Sequence, residues 1–221
     1  MDFLSAELQE YCEKHSSEEP KILKKLNRQT HSQVLQPRML SGHLQGRFLS
    51  MISHLVRPKY ILEIGTYTGY SAICLAEGLA PGGKLITLDV NPELEDLVNQ
   101  YIEESGNKNR IQMIIGDAYQ LIRTLPQAFD LVFIDADKAS YAKYFDLVIE
   151  QVNPGGIILA DNVLWSGKIL DEKSLQKDKD TQLIDVFNKK VQSDPRVETV
   201  LLPIRDGITV IRKKTPIKPK K

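Results

Sequence analysis

The sequence predicts an α/β fold: a doubly wound, mostly parallel sheet of seven strands, with an antiparallel last strand and helices at its N-terminal end. Three observations predict it. From Tyr60 onward, short apolar runs alternate with amphipathic helical segments, the rhythm of a parallel sheet with right-handed crossovers. The strand-like runs are nearly continuous in apolar residues, as expected when both sheet faces are covered. The chain then closes with two runs, 197–202 and 207–212, joined by a short turn through Arg205, Asp206 and Gly207. So tight a turn forces an antiparallel pair.

Before residue 58 the pattern is helical. Segments 2–14 and 20–32 carry apolar positions at helical spacing, with Leu4, Leu8 and Tyr11 in the first and Ile22, Leu23 and Leu26 in the second. A loop over 36–42 leads to a third helix, 43–56, which stops before Pro58. Strand 60–64, helix 69–79, strand 84–89, helix 92–105 and strand 111–116 follow. Helix 118–125, strand 129–135, helix 139–150, strand 156–160 and helix 177–192 complete the alternation. A turn over 153–156 precedes the fifth strand.

The 221 residues suffice for one domain. It divides into a helical segment over 1–57, an α/β core over 58–213 and a basic, proline-broken tail over 214–221. Lys+Arg and Asp+Glu both number 29, so net charge provides no general attraction to nucleic acid or anionic membrane. The opening MDFLSAE is acidic where a secretory leader would be basic, and no run of about 18 apolar residues follows. The expectation is a cytoplasmic protein with no membrane span. Two cysteines are too few for a disulfide framework, and Cys74, within an apolar helical pattern, reads as a small buried hydrophobe. His15, His31, His43 and His54 lack metal-ligand spacing.

A cofactor signature follows the first strand, where LEIGTYTGYS spans 62–71. A glycine at a strand-to-helix turn lets a ligand approach the backbone. Gly65 and Gly69 are spaced G-x-x-x-G, without the G-x-G-x-x-G pyrophosphate fingerprint, which argues against NAD. Asp89 ends the second strand, 24 positions beyond Gly65, where a carboxylate can accept from both ribose hydroxyls. A helix cap ahead of Asn91 and Pro92 is the competing assignment. The third strand ends in Gly116, Asp117 and Ala118, small enough to admit an adenine ring, although Asp117 also suits a helix cap.

A second constellation ends the fourth and fifth strands. Asp135, Asp161 and Asn162 fall at carboxyl ends of strands, the edge where open α/β sheets bind ligands. In the expected strand order, strands 1, 4 and 5 are neighbours. At about 4.8 Å per strand, their ends bring the cofactor and an acidic cluster within about 10 Å. Two carboxylates and an amide oxygen are hard ligands suited to Mg²⁺, Mn²⁺ or Ca²⁺. Acids at strand ends also cap helices, so the pattern gains its specificity only together with the Gly65 loop.

Three segments now carry a resemblance: LEIGTYTGYS over 62–71, FDLVFIDADKASY over 129–141 and DNVLWSG over 161–167. They resemble the caffeoyl-CoA and catechol O-methyltransferase family, class I enzymes dependent on S-adenosylmethionine and a metal, in a bacterial-type form. The similarity runs from about residue 37 to 213 with its motifs in matching order. It implies that Asp135, Asp161 and Asn162 bind the metal. It also implies that Ser41, Glu63, Gly65, Thr66, Ser71, Asp89, Ala118 and Asp137 surround S-adenosylmethionine. Lys138 falls where catechol methyltransferases keep a general base, and Trp165 and Ser166 match positions bordering the acceptor pocket. The resemblance further implies a homodimer formed through the N-terminal segment. The stretch 42–46 lacks the acidic residues of plant members and residues 1–36 show no plant-like CoA-binding pattern, which puts a CoA-thioester acceptor in doubt.

The implied chemistry is methylation of a hydroxyl on an ortho-dihydroxy aromatic small molecule. A phenol of pKa near 10 is ionised to about one part in a thousand at pH 7, a deficit of about 4 kcal/mol. A chelating cation can offset that deficit, which explains a demand for vicinal hydroxyls. Lys138 would take the proton. Two other readings stand beside this one. In the first, Lys21, Lys24, Lys25 and Arg28, with Arg38 and Arg47, form a phosphate-binding face for methylation of hydroxyuridine in tRNA. The second is a non-catalytic nucleoside-binding protein, for which the acid, amide and lysine set would be superfluous.

Overall fold

A computed structural model describes residues 5–125 and 128–216. Leu4 and the tail beyond residue 216 lie outside the described residues. Helices α1 (Ala6–Lys14), α2 (Lys21–Gln33) and α3 (Gly42–Val56) precede the sheet. A 3₁₀ turn, Pro37–Met39, lies in the loop between α2 and α3. The core then alternates β1 (Tyr60–Ile64), α4 (Tyr70–Ala76), β2 (Lys84–Asp89), α5 (Glu95–Glu104), β3 (Ile111–Ile115), α6 (Ala118–Thr124) and β4 (Phe129–Ile134). It continues through α7 (Tyr141–Gln151), β5 (Val152–Asp161), α8 (Glu172–Lys177), α9 (Lys179–Ser193), β6 (Val197–Leu202) and β7 (Ile208–Lys213).

The strand order is β3-β2-β1-β4-β5-β7-β6. Strands β1 to β5 pair in parallel, and β7 runs antiparallel to both β5 and β6. This is the class I methyltransferase arrangement expected from the sequence.

Period-two alternation divides the strands between two cores. Leu62, Ile64, Val132, Ile134, Ile158 and Ala160 pack on the side of α6, α7 and α9. Ile61, Leu85, Leu131, Phe133 and Leu159 pack on the side of α2 to α5. Each such side chain removed from water contributes about 1.5–3 kcal/mol. Two-sided burial explains why the strands read as continuous apolar runs.

Three elements depart from the sequence reading. Segment 153–156 belongs to β5, and does not form a turn before it. The pairing with β4 shifts register between Phe129 and Leu131 there, and Asn153 Nδ2 donates to Asp130 Oδ1 at 2.7 Å. A bulge with side-chain support thus takes the place of the turn. The 3₁₀ segment Trp165–Leu170 and helix α8 were not anticipated. Neither buries a residue, so neither carries an amphipathic signal.

Candidate active site

The site is a single register row. Leu88 pairs with Ile64, Ile64 with Ile134, and Ile134 with Ala160. The next residue on each strand is Asp89, Gly65, Asp135 and Asp161. Four sequence-predicted residues therefore leave the carboxyl edge side by side, about 4.8 Å apart per strand. By the same alternation they follow Thr87, Glu63, Phe133 and Leu159, which face the α3 and α4 side.

At the first turn, Gly65 adopts φ +96°, and a Cβ on it would lie 1.8 Å from the Asp135 carbonyl oxygen. Only glycine lets β1 and β4 diverge so closely. Asp89 fixes this turn: its Oδ2 accepts from the backbone N–H groups of Thr66 and Tyr67, each at 2.9 Å. Its Oδ1 accepts from Asn91 N at 2.9 Å. The capping of the next turn falls to Asn91, whose side chain accepts from Glu93 N. Asp89 is thereby aimed at the glycine loop, with acceptor capacity left for a hydroxyl. Ala118 is buried, and Asp117 caps α6 through Tyr119 N.

Beneath the loop, Thr66 Oγ1 meets Thr87 Oγ1 at 2.5 Å, and Thr87 donates to Glu63 Oε2 at 2.5 Å. Glu63 is fully buried and its Oε1 has no partner among the described residues. Burial pushes its carboxyl up to about 8, against the opposing influence of the Ser71 and Thr87 hydroxyls. Ser71 is buried beside it.

A prediction arises from Glu63. The folded chain holds a proton there that the unfolded chain releases near 4.5, so folding takes up a proton between about pH 4.5 and 8. Stability of the ligand-free protein is therefore expected to fall as pH rises through that window. Glu63→Gln, which mimics the protonated form, should flatten the decline. Melting temperatures from pH 5 to 8.5 check this, and parallel profiles for the two proteins would refute it.

At the other end of the row, Asp161 is 2% exposed. Its Oδ1 accepts from Asn162 N at 2.8 Å, and its Oδ2 accepts from Gln45 Nε2 at 2.7 Å. Burial, reinforced by the Asp135 charge, holds the Asp161 carboxyl well above the usual carboxylate range. Asn162 is left-handed at φ +56°. Lys138 Nζ donates to Asn162 Oδ1 at 2.9 Å and to Tyr141 Oη at 2.6 Å, and lies 3.4 Å from Asp135 Oδ1. Tyr141 Oη in turn lies 3.0 Å from the Asp161 carbonyl oxygen. Among the described residues, no three His, Cys, Asp or Glu side chains gather as a metal cluster. The oxygen set here is two carboxylates and one amide.

The remaining predicted residues border this edge. Trp165 and Ser166 have φ +47° and +54°. Ser166 N donates to Asp206 Oδ1, and the Trp165 ring centroid is 6.0 Å from Lys138 Nζ. Strained backbone of this kind concentrates at binding sites. Ser41 is buried ahead of α3. Asp137 is exposed and accepts from Tyr144 Oη at 3.0 Å.

Sequence reasoning missed Gln45, Tyr141 and Arg205. Gln45 meets Asp161 across 116 positions of chain, which no local pattern reveals. The proposed phosphate face is partly neutralised: Lys24 pairs with Glu18 at 3.5 Å, Lys25 with Glu104 at 2.6 Å and Arg47 with Glu77 at 2.8 Å. Each histidine bonds a nearby or loop carbonyl, to Tyr11, Asn27, Ser17 and Ser50 respectively. No helix among the described residues is long and apolar enough to cross a membrane.

Comparison with known proteins agrees with this geometry. The family model described as O-methyltransferase matches residues 13–214. Caffeoyl-CoA O-methyltransferase 5 of Nicotiana tabacum is 34% identical over 181 residues, covering 77% of this chain and 75% of that protein. The SAH-bound methyltransferase PaMTH1 of Podospora anserina superposes with a TM-score of 0.87 at 31% identity, covering 96% of this chain and 97% of the other. The O-methyltransferase of Bacillus cereus in complex with SAH gives 0.86 at 28% identity, covering 94% and 97%. With a matched family over nearly its whole length and a glycine turn, strand-end acid and sheet order to suit, this chain belongs to the O-methyltransferase family and is an S-adenosylmethionine-dependent enzyme.

Proposed function

We propose that the chain is a divalent-metal-dependent O-methyltransferase whose acceptor is an ortho-dihydroxy aromatic small molecule. The observation that carries this reading is the convergence of Asp135 Oδ1 and Asn162 Oδ1 on one cationic group, the Lys138 ammonium, in the register row of Gly65. The donor set fits a dication: hard oxygens only, two of them anionic, with one carboxylate buried where an uncompensated charge is costly. Asp135, Asp161 and Asn162 would hold Mg²⁺, Mn²⁺ or Ca²⁺, and Glu63, Gly65, Thr66, Ser71, Asp89, Ala118, Asp137 and Ser41 would surround the cofactor. When bound, the metal supplies positive charge that stabilises an ionised hydroxyl, and S-adenosylmethionine supplies the methyl group.

The chain's own residues do the rest. Asp89 and the Gly65 turn orient the nucleoside through fixed backbone and one carboxylate. Lys138, held by Tyr141 Oη, would take the hydroxyl proton as the neutral amine, its own ammonium proton having first passed to solvent. Burial holds Tyr141 well above its ordinary value, so its phenol stays neutral and can orient that amine. Trp165, beside Lys138, offers an aromatic wall to a flat acceptor. Alignment of acceptor oxygen, methyl carbon and sulfur is then a matter of positioning.

Relatives named caffeoyl-CoA O-methyltransferases support an aromatic acceptor. A homodimer formed through the N-terminal segment belongs to the same proposal, and light scattering on the purified chain tests it. Lys138→Met is expected to lower kcat by about 10²- to 10⁴-fold with KM little changed, measured with a catechol acceptor. A labelled methyl-transfer screen over catechols, flavonoids, caffeoyl esters and undermodified tRNA, each with and without Mg²⁺, tests the whole reading. Methylation confined to tRNA would replace it with the RNA alternative.

A further inference from the structure

The turn between β6 and β7 places a long cationic side chain where the backbone is left-handed: Arg205 has φ +49°. Such a conformation costs an arginine about 1–2 kcal/mol relative to glycine, and the guanidinium reaches four acceptors, three of which share the two hydrogens of Nη1. Its Nη1 donates to Leu40 O at 2.7 Å, to Ser41 O at 2.5 Å and to Gln45 Oε1 at 3.0 Å. Its Nη2 donates to Arg38 O at 3.2 Å. Gln45 is fully buried on α3, and its other end donates to Asp161 Oδ2.

The amide has only one orientation that satisfies both neighbours. A guanidinium has no acceptor, so Gln45 must turn its oxygen to Arg205 and its nitrogen to Asp161. The Asp161 carboxylate is then gripped at both oxygens, by Gln45 and by Asn162 N, with one lone pair free on each. The same guanidinium holds the carbonyls of the loop that carries Ser41. We propose that Gln45 and Arg205 are positioning residues, which lock the Asp161 carboxylate for a divalent cation and tie that lock to the cofactor-side loop. The inference rests on the metal-dependent reading above.

Mn²⁺ titration followed by electron paramagnetic resonance reads cation binding without turnover, and isothermal titration with SAH reads the cofactor side. Wild-type chain is expected to bind Mn²⁺, and Asp161→Asn to lose it. Gln45→Leu should weaken Mn²⁺ by about 10- to 100-fold while leaving SAH affinity within about threefold. Arg205→Gly should weaken both Mn²⁺ and SAH, because the guanidinium serves both sides. The double variant should bind Mn²⁺ no worse than Gln45→Leu alone, since Arg205 acts on Asp161 through Gln45. Arg205→Gly suits the turn's backbone and decides the matter even if Gln45→Leu fails to fold. If both variants bind Mn²⁺ as wild type does, or if their effects simply add, this inference fails alone. Wild-type chain that binds no Mn²⁺ defeats the metal reading and this inference with it.

Discussion

Asp135→Ala, or treatment with EDTA, is expected to lower turnover of a catechol acceptor by about 10³-fold or more. The size follows from the chemistry to be supplied: at pH 7 a phenol is short of its anion by about 4 kcal/mol, and a cation is the group able to offset most of that. The variant separates function from folding. The Asp135 side chain is 25% exposed and makes one long contact, 3.4 Å from Lys138. Its charge also raises the cost of the neighbouring buried carboxylate. Its removal should therefore leave the melting temperature unchanged or slightly higher while activity disappears. Restoring Mg²⁺ after chelation should restore the wild-type rate and not that of the variant. Full activity of the wild-type chain in metal-free buffer would defeat the mechanism.

Gly65→Ala is expected to cost more than about 3 kcal/mol of stability and to abolish SAH binding. The added methyl would sit 1.8 Å from the Asp135 carbonyl oxygen and 2.7 Å from its carbon. Both atoms are backbone just past the end of β4, where Asp135 N is bonded to Ile64 O, and cannot yield as a side-chain tip could. Relief would require β1 and β4 to separate at the register row that forms the site. Gly106→Ala is the matched control: at φ +74° with nothing within 4 Å, it carries the left-handed penalty alone, about 1–2 kcal/mol. Urea denaturation of both variants checks the difference, and equal losses would mean that backbone conformation, not collision, sets the requirement for glycine.

The parts of this protein legible in its sequence are those written in local pattern. Strand positions such as Leu62 and Val132 announced a covered sheet because burial on both faces demands apolar runs. Gly65, Asp89, Asp135 and Asp161 were visible because each ends or directly follows a strand, so the topology alone aligns them. The neighbouring order β1-β4-β5, expected from the sequence, is the observed one. What was not legible depends on long-range geometry. Gln45 lies on an ordinary amphipathic helix, and nothing near it in sequence signals a partner at Asp161. Arg205 read as one residue of a tight turn, whereas its side chain reaches carbonyls some 165 positions away. The segment over 153–156, rich in turn residues, is a bulged strand paired with β4, where Asn153 Nδ2 also reaches across to Asp130 Oδ1.

The position of β7 has a consequence for synthesis. Last among the strands in chain order, it inserts between β5 and β6, with Ile208 paired to Asp161. Until it emerges from the ribosome, one flank of β5 is an open edge and the Arg205 turn has nothing to anchor it. A nascent chain halted near residue 195 thus has every proposed cofactor and metal residue already translated, yet lacks the brace on which their arrangement depends. Cofactor binding by a nascent chain is therefore expected only once β7 has paired with β5.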